Sequence, residues 1–401
     1  MVTWMMMVCL CGAETGQQWP GFRGQGNNVA EVKSLPRKWS DEEGIRWKAE
    51  LQGYGQSSPV VWGDKVFVTS VEGPKKQKLI LAAYSMDQGE KLWAKEFEAS
   101  QTAESTDYVS KASPTPHVDA ERLIVMFESG DLLALNHQGE TLWQRSLTKE
   151  YGAIQGAHGL GASLAATEKE VLVLVAHEGP SYLLSVQKSD GKNRWKTDLT
   201  AGVSWTSPHV NWKSEPQQVV VSSAGRVEAY DLAEGKPLWK LDGLEGNTVP
   251  SPTAAGGLVL IGSSQSESNM VLKIQGTGTE TKPEVVWKSE SASSSFGSPL
   301  LFGDQAYFVN RAGVAFAVEA TTGKELWNAR LPGSCWASPL GALDRVYFFT
   351  KDGPTWVVQA GPKLEVLAEN VLPVPGRVYG VAAVEGRFVV RTGTHLVCIG
   401  K

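Results

Sequence analysis

The chain has 401 residues, with 38 Lys and Arg against 43 Asp and Glu for a formal charge of −5, and no basic run is longer than Lys75-Lys76. That balance argues against a nucleic-acid surface. Its 42 Gly and 20 Pro are spread along the whole length beside 42% hydrophobic residues, which excludes a disordered or collagen-like chain and describes a turn-rich folded one. Tryptophan is the anomaly, since 15 Trp outnumber 11 Phe and 9 Tyr.

In chain order, the first feature is the apolar run Trp4 to Leu10, followed by Cys11, Gly12 and Ala13 and then the polar Glu14 to Gln18. A short apolar run ending in small residues reads as a secretory leader over residues 1–13, cut near Ala13, although it lacks a basic start. The expected location is therefore exported, periplasmic or outer-membrane associated. Leu10 before Cys11 and Val8 before Cys9 disfavour lipidation of either cysteine. No stretch reaches the ~20 apolar residues of a membrane helix. Beyond the leader only Cys335 and Cys398 remain, which read as buried small hydrophobes with their pairing left open. Residues 14–43 read as an extended N-terminal segment, and 44–401 as one domain.

Internal repetition organises that domain. Variants of one sentence recur, among them GEKLWAKEF, GETLWQRSL, GKPLWKLDG and GKELWNARL, with tryptophans at Trp47, Trp93, Trp143, Trp195, Trp239, Trp287 and Trp327. An eighth copy carries Leu367 in the Trp place. A second marker, Ser-Pro before a short strand, runs in phase at Ser58, Ser113, Ser207, Ser251, Ser298 and Ser338, and the segments at Ser163 and Gly380 hold the same place without the Pro. Each unit contains four Val/Ile/Phe-rich runs bounded by Gly, Asp and Pro turns, the signature of a four-stranded antiparallel sheet. Eight such units make an all-β, eight-bladed β-propeller. The last unit stops after three strands, and the orphan run Ile45-Arg46-Trp47-Lys48 supplies its fourth, closing the ring. The repeated Trp then covers the seam between neighbouring blades, its N–H reaching a backbone carbonyl. Truncating one costs about 3–5 kcal/mol.

The frame Ala-x-Asp-x-x-x-Gly-Lys-x-x-Trp, at Ala229, Asp231, Gly235, Lys236 and Trp239 and again with Glu319 at Ala317 to Trp327, resembles the tryptophan-docking repeat of pyrroloquinoline-quinone (PQQ) type propellers. Two families share that repeat. Quinoprotein dehydrogenases hold the quinone and a calcium ion on one propeller face, whereas the outer-membrane assembly propellers similar to BamB are non-catalytic scaffolds. The opening Gln18-Trp19-Pro20-Gly21-Phe22-Arg23-Gly24, with Leu35-Pro36 and Trp39-Ser40, is similar to exported BamB-like propellers of planctomycete-type bacteria. The chain has no adjacent Cys pair and no Glu, Asn and Asp set that matches the quinoprotein calcium ligands. The resemblance therefore implies a binding or protein-interaction scaffold of the cell envelope. The alternatives are a PQQ- and calcium-dependent dehydrogenase of divergent site and a carbohydrate or small-ligand binder. The partner is expected to be an envelope protein or a small ligand, and a closed propeller of this size suffices as a monomer.

Residues just before each innermost strand should ring the channel mouth: Tyr54, Tyr108, His158, Trp205, Asn247, Phe296, Trp336 and Tyr379. Loops between second and third strands add Glu128, His177, Arg226, Arg311, Lys351 and Arg391. Aromatics interspersed with charge suit a planar cofactor, a sugar or a peptide, or else they fill the channel by packing on one another. His158 and His177 have no third ligand at metal spacing, so no metal site is expected. No Ser/His/Asp set is identifiable, and no catalytic residue is expected.

Overall fold

The computed structural model describes residues 17–401 apart from 107–108, 212–213, 224, 247–248, 278–279 and 352–353. The expected leader, Tyr108 and Asn247 lie outside the described residues. Eight sheets stand around a central channel, and sequence order within each runs from the innermost strand outward except in the last, whose outermost strand comes from early in the chain. Blade 1, for example, consists of Val60–Trp62, Lys65–Glu72, Lys78–Ser85 and Lys91–Glu98. Its second and third strands are buried along nearly their whole length because other blades cover both faces, which is why they read as unbroken Val/Ile/Leu/Phe runs. The outermost strand has one covered face and alternates with Lys and Glu. Between blades 1 and 2, Phe67, Leu81, Val125 and Leu133 form one continuous apolar cluster.

The ring closes as the repeat implied. Ile45–Glu50 pairs antiparallel with His395–Gly400 and becomes the fourth strand of blade 8, with Trp47 opposite Cys398. At every seam the docking motif has a geometric reason. Ala83, Ala134, Ala229 and Ala317 face Trp93, Trp143, Trp239 and Trp327 across the strand, and at each the register slips by a bulge that aims the indole outward. The ring lies on the turn glycine of the next blade: a Cβ at Gly89, Gly323 or Gly191 would stand only 2.5, 2.6 or 2.7 Å from Trp47, Trp287 or Trp143. The indole N–H of Trp47, Trp93, Trp143, Trp195, Trp287 and Trp327 donates to a carbonyl of that blade, at 2.8–3.2 Å. Trp239 differs, donating to the side-chain Oε1 of Gln218 at 2.9 Å in its own blade, and Pro283 stands before Trp287 in the place that Gly235 and Gly323 hold before Trp239 and Trp327. Leu367 packs in the Trp place of blade 7, half-buried. Cys335 and Cys398 are both buried and free, and burial pushes each thiol up to about 12.

The N-terminal segment is more than an extended lead-in. Gln18–Trp19 pairs antiparallel with Val60–Trp62, and Val29–Ala30 pairs parallel with Leu340–Ala342, so blades 1 and 7 each gain a fifth, innermost strand. The innermost edge of a blade has unpaired backbone groups, and a passing extended chain can satisfy them. Between these two strands the chain crosses the channel. There Arg23, fully buried, donates from Nη1 to the Pro252 carbonyl at 3.3 Å and from Nη2 to the Pro299 carbonyl at 3.0 Å and the Thr253 hydroxyl. Asn28 Nδ2 donates to the carbonyls of Ser338 and Pro339 at 3.1 and 2.6 Å. The strap thus ties blades 1, 5, 6 and 7 together. Trp39 then packs against Phe349 and Phe388 of blades 7 and 8.

Candidate functional site

The strap closes the channel and leaves a chamber of about 370 Å³ above it. Phe22, Arg23 and Asn28 form part of its lining from below. The wall is a ring of hydroxyls. The Ser58 N–H donates to Thr115 Oγ1 (2.9 Å), that of Thr115 to Ser163 Oγ (3.0 Å), and the pattern continues through Ser207, Ser251, Ser298 and Ser338 at 2.8–2.9 Å. Each blade therefore hands a backbone N–H to the hydroxyl of the next. In blade 8 Gly380 takes the position, because a Cβ there would collide with Ser58. The Ser-Pro marker placed Ser113 in this series. Thr115, before Pro116, holds the position instead, and the Ser113 hydroxyl donates to Gln56 Oε1 at 3.2 Å.

Above the hydroxyls stand two arcs of rings. Phe296 and Trp336 are stacked at 4.6 Å and 15°, Trp336 meets Tyr379 edge-on at 5.7 Å, and the Tyr379 and Tyr54 hydroxyls are 2.7 Å apart. Arg377, adjacent to this arc, lies over Trp336 at 4.6 Å. Across the mouth, His158 and Trp205 are 5.8 Å apart, and the Trp205 indole donates to the Gly159 carbonyl. His158, Trp205, Phe296, Trp336, Tyr379 and Arg311 all line the chamber. Tyr54 does not line it directly; it braces Tyr379 while Lys111 sits 5.2 Å from its ring. The rings pack on one another within each arc and still leave the chamber between them.

Three residues expected at the mouth are elsewhere. His177 is buried, its Nδ1 accepting from the Gln155 and Gly179 amides, so it pins its own loop, and burial holds its pKa below the usual imidazole value. Glu128 is buried against Lys76 at 3.3 Å, with burial raising its pKa against that attraction. Arg391 is wholly buried at the seam of blades 8 and 1, donating to the Thr69 carbonyl and the Ser57 hydroxyl, and burial lowers its pKa to about 9. Loop position alone does not distinguish a mouth residue from one that turns back into the seam.

Sequence reasoning missed the strap, although Arg23 stood in the quoted opening motif. It missed the hydroxyl ring because Ser before Pro reads as turn chemistry. Burial lowers the Arg23 pKa to about 9, and no Asp or Glu is among the described residues lining the chamber. Calcium takes oxygen ligands with carboxylates prominent among them. No group of three His, Cys, Asp or Glu that could hold a metal occurs among the described residues. The residues present do not fit a calcium-bound quinone.

The family model described as outer membrane protein assembly factor BamB matches residues 38–157, 136–283 and 279–361, most of the chain. The assembly factor BamB of Alkalilimnicola ehrlichii is 25% identical over 170 residues, covering 41% of this chain and 42% of that protein. The chain spans about half the length of the curated relatives it matches. Among solved structures, BamB from Moraxella catarrhalis superposes with a TM-score of 0.62 at 15% identity, over 88% of this chain and 96% of that one. The quinohemoprotein alcohol dehydrogenase from Comamonas testosteroni gives 0.69 at 12% identity, over 98% and 82%. At such identities both likenesses speak for the fold alone.

Proposed function

The chain belongs to the family of outer membrane protein assembly factor BamB, and from that premise we propose that it is an exported, non-catalytic scaffold that engages proteins of the cell envelope along the propeller's circumference. The observation that carries this reading is the row of outermost strands. Leu92, Leu142, Val286 and Val366 stand exposed on the outer strands of blades 1, 2, 5 and 7, each immediately before the docking position. An outermost strand presents a free row of N–H and C=O groups, and an extended partner segment can add to it as a further strand with its apolar side chains over these residues. Neighbouring charges such as Lys91, Lys95 and Glu96 would keep identical edges from pairing with one another. A dehydrogenase reading draws on the fold likeness and finds no matching donor set in the chamber.

The test is site-specific photo-cross-linking of the full chain in a host with an outer membrane. Probes at Leu92 and Leu142 should give adducts with outer-membrane proteins or their assembly machinery, while a probe at the channel-facing Trp205 should not. Adducts from Trp205 alone, or none from the rim, would refute the edge-binding scaffold.

A further inference from the structure

The chamber has a chemistry that an edge-binding scaffold leaves unused. Seven hydroxyls ring its wall, and six of them, all but Ser58, already accept a backbone N–H from the preceding blade. Such a hydroxyl keeps one lone pair and its proton, and no described protein group accepts that proton. The ring can therefore donate a hydrogen bond from each hydroxyl to an acceptor that enters. Arg23 below and Arg311 on the wall add positive charge, and the described lining holds no carboxylate to neutralise it. Arg23 makes all of its bonds to carbonyls and one hydroxyl, and its Nε has no partner. In a chain of formal charge −5, this one interior is cationic.

Above the donors, Trp205 offers a flat apolar surface of the kind that stacks on the C–H face of a sugar ring, whereas Trp336 is already covered by Phe296 and by Arg377. A volume of about 370 Å³ falls within the range of small-ligand pockets. A neutral polyol would satisfy the donors and leave the charge uncompensated. A bare inorganic anion would satisfy the charge and leave the ring faces empty.

We propose that the central chamber binds an acidic saccharide without a metal ion, its carboxylates held by Arg311, Arg23 and the hydroxyl ring and its sugar face stacked at Trp205. The ligand class is an oxygen-rich anion of one or two sugar rings. Burial of the anion among hydroxyls and arginines makes charge-assisted hydrogen bonds, which are the strong kind.

Calorimetric titration of the purified chain in EDTA tests this, with digalacturonate as the probe. The controls are digalactose, which has the same rings without the carboxylates, sodium sulfate, and PQQ. Digalacturonate should bind at least ten-fold more tightly than digalactose, and its affinity should fall with added salt because the attraction is screened. Arg311→Ala and Trp205→Ala should each weaken binding at least ten-fold while leaving the thermal midpoint within a few degrees of the parent. Equal binding of the neutral disaccharide would overturn the anion requirement, and sulfate competing as well as the disaccharide would overturn the saccharide. Tight PQQ binding with no response to digalacturonate would overturn the whole assignment. These readouts use the chain alone, so their failure is distinguishable from failure of the rim cross-links.

Discussion

Gly235 shows how much one residue of the docking frame is asked to do. Its φ of 71° is left-handed, and the Trp195 ring lies where a side chain would begin. Gly63 has a similar φ of 58° but nothing within 4 Å of the added Cβ. Gly63→Ala should therefore cost only the backbone term of about 1–2 kcal/mol, whereas Gly235→Ala adds overpacking of about 1–3 kcal/mol. Urea unfolding of the pair isolates the docking contribution, and equal losses would remove it. Two histidines give the molecule an acid sensitivity. His209 is buried and His117 half-buried, and both are held at about 3, by desolvation first and then by Arg23 and Lys188 respectively. Because the folded values lie below the ordinary imidazole value near 6.5, the unfolded chain binds the extra protons. Stability is full above about pH 6.5 and is lost progressively as pH falls toward 3. His209→Gln should flatten that slope in thermal melts between those limits; an unchanged slope would absolve His209.

At the scale of elements, the eight sheets, the closing strand and the docking seams were all legible, because Val/Ile runs, Gly turns and a Trp at fixed phase repeat often enough to be read against each other. The strap was not legible. Gln18–Trp19 and Val29–Ala30 are two residues each, too short to show a period, and their partners lie in blades 1 and 7. The mouth was half legible: ring residues before the innermost strands point inward by position, but the second loop sends Arg311 to the chamber and Arg391 into a seam. That seam makes Arg391 a clasp. It also donates to the Ser57 carbonyl at 3.3 Å and the Ser70 hydroxyl at 3.2 Å, all in blade 1. Arg391→Met should cost about 1–3 kcal/mol for each carbonyl left without a donor, seen as a lower urea midpoint. A midpoint equal to that of the parent would show that the clasp contributes nothing.

For the whole molecule, circumference and chamber are separate surfaces on one rigid ring. Leu92→Lys with Leu142→Lys should abolish the adducts of a rim probe placed at Lys95 and leave digalacturonate affinity within two-fold, as expected for distant and independent sites; loss of both would join them into one function. The placement of the first described residues carries a further consequence. Asn28 is bonded to residues 310 and 311 positions later, and Ile45–Glu50 pairs with the last strand of the chain. Synthesis releases a chain N-terminus first at about 5–20 residues per second, so these segments wait on the order of tens of seconds for the strands they join. During that wait Trp39 has no partner, because Phe349 and Phe388 are not yet made. The ring therefore cannot close until its last strand has been synthesised.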